Sequence, residues 1–359
     1  MKYKSTKIIV LVILFFIFSQ SNIAYAAIYW SAGGETGDLS TSGSTGASEW
    51  QLRSGGGEYN SGTADSAIST DYAHTGTHSI KATISTPSDP TSGTRLFRWE
   101  ETQKYQSAYY SAWFYFPTQY TLTHDPNTGQ FWNLFQFKSL SIDGRNDPVW
   151  AFYGQPDGKG GIKLKAGWGW GGVTMAGPAS SDSVGGKYYD QTITSIPTGR
   201  WVHFEAYLKQ STGNSSTQTS NFDGQLKFWQ DGQLLFDFSN IRTGYYNTNY
   251  TSKGNTWNTS SQWAINNYSD GLSPNPASIY FDDAAISSTQ LSSTSKPLGC
   301  TGDYNANGTV DISDLAVFSQ NYKKTGINCS FDITGSDCLL NISDLTEFAK
   351  VYKVNNACL

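Results

Sequence analysis

The chain has 359 residues and a formal net charge of −5; 15% of the residues are charged and another 15% are aromatic, including 12 tryptophans. Sparse charge of acidic sign argues against a nucleic-acid partner, and the length exceeds what one compact domain usually holds. Abundant Trp and Tyr suit an all-β fold whose rings fill a core, and they equally suit stacking on sugar faces.

The first 26 residues read as a signal peptide. Lys2, Lys4 and Lys7 precede an apolar run from Ile8 to Phe18, and Ala24-Tyr25-Ala26 supplies a small-residue cleavage site. The run is shorter than the roughly 20 residues that span a bilayer. No later stretch is long and apolar enough, so the expectation is a secreted protein without a membrane span after cleavage.

From residue 27 to 288 the chain shows no sustained helical period. Short β-rich runs recur between turn signals: Ser79–Ser85, Tyr109–Phe116, Phe131–Phe137, Gly161–Gly167, Trp201–Leu208, Gln225–Gln230 and Ser278–Ile286. Asp231-Gly232 marks a tight hairpin, and 211–220 reads as a polar loop. Many strands with no helices between them predict an all-β jelly roll, a concanavalin-A-like sandwich. First and last strands often lie side by side in such folds. The carboxylates of Glu35 and Asp38 could therefore meet Asp282 and Asp283 around a structural calcium, or all four could be turn residues. Residues 289–299 form a Ser/Thr linker.

Residues 300–359 form a separate module. Cys300, Cys329, Cys338 and Cys358 all lie here, which in a secreted chain implies two local disulfides. The favoured pairing is Cys300 with Cys358 and Cys329 with Cys338. Asp303, Asn305, Asn307, the Thr309 carbonyl, Asp311 and Asp314 fall at the ligand positions of a calcium loop, with Gly308 at its sharp turn. A second, irregular loop offers Asp332, Thr334, Ser336, Asn341 and Asp344. The run DISDLAVFSQNYK at 311–323 repeats as NISDLTEFAKVYK at 341–353. Two loop–helix units at this spacing resemble the type I dockerin family. That resemblance implies a small α-helical, calcium-bound domain and a cohesin-like scaffold partner, contacted through Ile312, Ser313, Ile342 and Ser343. It also implies that the chain can be held at a cell surface through that partner.

For the body, the E-x-D-x-x-E pattern of jelly-roll glucanases is missing, as are G-x-S-x-G and H-E-x-x-H. A glycoside hydrolase is therefore the third choice. β-Elimination on a uronic acid needs other parts: cationic or amide groups to neutralise the carboxylate, a base for the C5 proton, and an acid for the leaving oxygen. Candidates are Arg95 and Arg98 in TRLFRWEE, Asn133, Gln136 and Lys138 in FWNLFQFKS, and Asn267 and Tyr268 in WAINNYSDG. His124 could serve from a loop. Trp168 and Trp170 in AGWGWGG suggest an aromatic platform, and Glu205 a site wall shared with Trp201 and His203.

These segments, with YYSAWFYFP, IPTGRWVHFEAYLKQS and DGQLKFWQDGQLLFDF, resemble the jelly-roll polysaccharide lyases of the heparin-lyase-I-like and alginate- or glucuronan-lyase groups. The resemblance implies a carbon–oxygen lyase acting on an acidic polysaccharide. It matches an Arg strand at Arg95 or Arg98, a Gln strand at Gln136, and a late Tyr strand at Tyr268. Lys138 stands where that pattern has His. The alternative is a non-catalytic carbohydrate-binding protein on the same scaffold, with Gln136 and Tyr268 merely lining its surface.

Overall fold

The computed structural model describes residues 27–39, 50, 55–85, 92–123, 131–168, 187–291, 312–323 and 341–352. The expected signal peptide, the first calcium loop up to Asp311, the second up to Ser336, the four cysteines, His124 and Trp170 lie outside these residues. Among the described residues, no helix is long and apolar enough to cross a membrane.

In chain order the strands are β1 (Ile28–Ala32), β2 (Gly56–Ser61), β3 (Asp65–Ser69), β4 (Ser79–Ile84), β5 (Ser92–Arg98), β6 (Ser107–Tyr115), β7 (Thr121–Leu122), β8 (Trp132–Leu140), β9 (Asn146–Pro156) and β10 (Ile162–Trp168). They continue with β11 (Lys187–Asp190), β12 (Trp201–Lys209), β13 (Gly213–Asn214), β14 (Thr219–Ser220), β15 (Gly224–Gln230), β16 (Gln233–Ile241), β17 (Gln262–Ser269), β18 (Leu272–Ser273) and β19 (Ala277–Ser287). One sheet runs β16-β15-β12-β6-β19-β4-β3, with β1 also pairing β19; the other runs β11-β10-β9-β8-β17-β5-β2. Every pairing is antiparallel and most neighbours are distant in sequence, the crossed connectivity of a β-sandwich in jelly-roll style.

All seven expected strand runs are found. Asp231 and Gly232 both take positive φ and turn β15 into β16, as the hairpin signal requires. The expected first-to-last neighbour also forms, with Ile28 opposite Ser287. One detail differs: the 211–220 stretch carries a small hairpin of its own, β13 with β14. After β5 the chain turns into a short helix, α1 (Glu100–Lys104).

The inward faces are apolar at alternate positions, as a strand's period of two dictates. Leu96, Phe135, Phe137, Trp150, Phe152, Leu164, Trp263 and Ile265 of the seven-stranded sheet meet Tyr110, Phe114, Val202, Phe204, Phe228 and Phe281 of the other. Phe152 stacks on Phe228 with ring centres 3.9 Å apart. This core fixes the seven-stranded sheet and turns the alternate residues of its strands to its outer face.

In the tail, α2 (Ile312–Asn321) and α3 (Ile342–Val351) start at equivalent points of the sequence repeat. Phe318 and Phe348 are buried against each other, with Leu315, Leu345, Tyr322 and Tyr352 around them. Asp314 and Asp344 are buried at the helix starts, whereas Ile312 and Ile342 are 66% and 64% exposed. Asn341 and Asp344 form a reciprocal capping box: the Ser343 N–H donates to Asn341 Oδ1 at 2.7 Å and the Asn341 N–H to Asp344 Oδ2 at 2.9 Å.

Candidate active site

The centre of the site is β8, fourth of the seven strands in its sheet. Strict alternation would put Asn133 and Gln136 on opposite faces. The pairing of β8 with β9 slips between Asn133 and Phe135, and this bulge brings Asn133, Gln136 and Lys138 to the same outer face. On β17, Trp263, Ile265 and Asn267 point inward, leaving Ala264, Asn266 and Tyr268 outward. On β5 the outward residues are Arg95 and Phe97. The register places Tyr268, Asn133, Tyr153 and Lys165 in one row across β17, β8, β9 and β10. A second row carries Ala264, Gln136, Ala151 and Gly167, small residues that make a floor around the Gln136 amide.

A directional hydrogen-bond relay crosses this face. Arg95 Nε donates to Asn266 Oδ1 at 2.9 Å. Asn266 Nδ2 donates to Asn133 Oδ1 at 3.1 Å, and Asn133 Nδ2 donates to Gln136 Oε1 at 2.7 Å. Asn266 and Gln136 are wholly buried, yet Gln136 Nε2 has no partner. A buried amide N–H left without an acceptor costs about 1–3 kcal/mol, which any oxygen that reaches it offsets.

The cations of the site are desolvated. The Arg95 guanidinium lies 5.5 Å from the ring centre of Tyr268 and 5.6 Å from that of Tyr59. Burial works against its charge, and the two tyrosines work for it. Lys138 is pushed down to about 8, first by burial and then by the nearby Arg95 charge, with Asp147 opposing. An anion arriving here relieves both penalties. Gly93 lies under the Tyr268 ring, with no room for a side chain between them.

Several expected site residues lie elsewhere. Arg98 alternates to the inside, 1% exposed. It makes a fork with Glu101, Nη2 to Oε1 at 2.7 Å and Nε to Oε2 at 3.0 Å, and packs on Trp30. Asn267 is in the core, where it accepts from Trp132 Nε1 and donates to the Ala82 and Ala277 carbonyls of the opposite sheet. Trp168 follows Leu164 and Ala166 inward and packs near Trp150 and the core. Glu205 is buried on the other sheet, beside buried His203 and half-buried Trp201 of the same strand, and it accepts from the Leu291 N–H at 2.5 Å. None of the four belongs to the face around Gln136. Reading along the strands missed Asn266 and Tyr153. Counting back by two from Tyr268 finds Asn266; Tyr153 sits on β9, which carried no strong strand signal.

Of the expected calcium carboxylates, Glu35, Asp282 and Asp283 are all tied to the 74–78 segment, and burial together with the neighbouring Asp283 charge pushes Asp282 up to about 8. Asp282 Oδ2 accepts from the His74 N–H at 2.7 Å, Asp283 Oδ1 from the Thr75 hydroxyl at 2.8 Å, and Glu35 Oε1 from the His78 N–H at 2.8 Å. Among the described residues no three acidic, His or Cys side chains come together as a metal cluster.

No protein-family model matches the sequence, and no curated protein matches it. The sandwich is similar to an endo-β-1,4-glucuronan lyase from the fungus Trichoderma reesei, at 13% identity and a TM-score of 0.48, over 73% of this chain and 96% of that one. It is also similar to a marine alginate lyase from Aplysia kurodai, at 12% identity and a TM-score of 0.43, over 73% of this chain and 99% of that one. A xylan-binding domain from Paenibacillus barcinonensis is similar at 9% identity and a TM-score of 0.31, over 73% of this chain and 94% of that one. A fold does not by itself give a function, so the chemistry is read from the side chains on the sheet's face.

Proposed function

We propose that the body is a polysaccharide lyase that cleaves a uronic-acid polymer by β-elimination. The observation that carries this reading is the meeting, beside Tyr268, of a partnerless buried amide donor with two desolvated cations, Arg95 and Lys138. Gln136 Nε2, Arg95 and Lys138 take the substrate carboxylate. Neutralising it stabilises the charge that develops when the C5 proton leaves. Tyr268 removes that proton and returns one to the departing O4. The electron pair of the C5–H bond becomes the C4=C5 double bond as the C4–O4 bond breaks. Arg95, beside the Tyr268 ring, favours negative charge on the phenol. A neutral-glycan hydrolase or lectin gains nothing from two cations held partly out of water next to an unpaired amide donor.

The test is incubation of the whole protein with glucuronan, alginate, heparin-type and neutral glycans, following the ultraviolet absorbance of unsaturated uronate. Tyr268→Phe should cut the rate about 10²–10⁴-fold, the range for loss of a positioned acid–base group. Retention on a polyuronate column without any absorbance would make the protein a binding module. New reducing ends without absorbance would make it a hydrolase.

The tail supports a second proposal, that of a dockerin-like docking module with calcium in loop 303–314. What favours it is the twofold repetition of helix, buried Phe and buried Asp, with equivalent isoleucines, Ile312 and Ile342, left exposed at the helix starts. The partner would be a cohesin-like scaffold protein.

A further inference from the structure

The relay across the site has only one possible sense, and Arg95 sets it. A guanidinium has donors and no acceptor. The group it meets at 2.9 Å must therefore be the Asn266 carbonyl oxygen. That leaves the Asn266 NH₂ to donate to Asn133, and the Asn133 NH₂ to donate to Gln136. Each amide has one accepting and one donating end, so the orientation passes undiminished along the chain. At its end Gln136 has its oxygen occupied and its NH₂ buried without a partner. Were Asn266 turned over, every later amide could turn with it, and Gln136 would present an oxygen.

We propose that Asn266 is a specificity-determining positioning residue: held by Arg95, it fixes the Gln136 amide with its NH₂ as the unpaired end of the relay, so that the site takes a free carboxylate and disfavours a carboxamide at the same place. Asn266 itself touches no substrate in this arrangement. The proposal rests on the uronate-lyase reading for the identity of the ligand, but the relay's sense follows from the hydrogen bonds alone. It also gives the three buried amides a purpose that packing does not, since an apolar trio would fill the same volume without orphaning a donor.

The experiment compares glucuronan oligosaccharides with the same oligosaccharides converted to carboxamides. Affinities are measured by calorimetry on the full chain carrying Tyr268→Phe, so that turnover does not interfere. Asn266→Leu, and Asn266→Ala as a second variant if the first melts early, should narrow the preference for free carboxylate about tenfold, the size of one hydrogen bond to a charged group. Asn266→Asp should go further and invert the preference, because the new carboxylate accepts from both sides and turns Asn133 and Gln136 over. A merely structural role would weaken both ligands equally and leave the ratio alone; an unchanged ratio in folded Asn266→Leu or Asn266→Ala protein overturns the proposal. If the ratio shifts as expected but the parent protein releases no unsaturated product, the lyase reading fails and the relay stands.

Discussion

Lys138 offers the sharpest single test of the site. Its ammonium is held near a pKa of about 8, against an ordinary 10.5, by burial and by Arg95. With that value about ten lysines in eleven are charged at pH 7, half at pH 8 and about one in eleven at pH 9. If Lys138 works as a cation for the carboxylate, kcat/KM should fall about fivefold between pH 8 and pH 9, since kcat/KM reports the free enzyme. Bound carboxylate offsets the desolvation, so the fall in kcat should lie at higher pH. Lys138→Gln should remove the step near pH 8 and lower kcat/KM at pH 7 by about 10- to 100-fold, the worth of a hydrogen bond to a charged group. Stability should move the other way. A lysine whose pKa is depressed on folding costs stability in full below pH 8, and the cost lifts as pH rises from about 8 to 10.5. Lys138→Gln should therefore melt higher than the parent at pH 7, with the difference shrinking towards pH 10. Initial rates of unsaturated-uronate release across pH 6 to 10, with melting curves in the same buffers, check both limbs. A rate that rises through pH 8, with the rise abolished in Lys138→Gln, would refute the carboxylate-binding role and make the lysine a base.

Three further outcomes follow from contacts on either side of the site. Gly93→Ala should cost activity nearly as much as loss of the Tyr268 hydroxyl, because a methyl there overlaps the Tyr268 ring; circular dichroism should show the sandwich intact. Arg98→Met leaves Glu101 buried without its partner and should lower unfolding free energy by about 3–5 kcal/mol in urea titrations, with Arg98→Lys failing to restore the fork. In the tail, Asp303→Ala or chelator should loosen α2 and α3 and weaken scaffold binding. Unaltered proteolytic resistance of the tail in chelator would remove calcium from the account.

The strands and their turns were legible because two simple signals coincide: alternation of apolar residues and the Asp-Gly turn at 231–232. Gln136, Lys138 and Tyr268 were legible from residue type on such strands. What the sequence could not show is which side a residue takes once a strand bulges. Asn133 reaches the site only because β8 slips one residue against β9. Arg98 and Asn267 have the right chemistry one position away from the right side, and each is instead spent on structure: Arg98 on Glu101, Asn267 on tying the two sheets. Glu205 failed for a longer-range reason, since nothing local says which sheet β12 joins.

The position of β8 in its sheet bears on the products. Three strands flank it on each side, so the sheet extends about 14 Å from the Gln136 row in either direction at the usual interstrand spacing. Tyr153 and Lys165 continue the Tyr268 row on one side, and Tyr59 lies beside Arg95 on the other. In the proposed lyase, a polymer lying across the strands has sheet beneath it on both sides of the bond to be cut. Scission would fall within chains, so viscosity would drop early in a digest, well before short fragments accumulate.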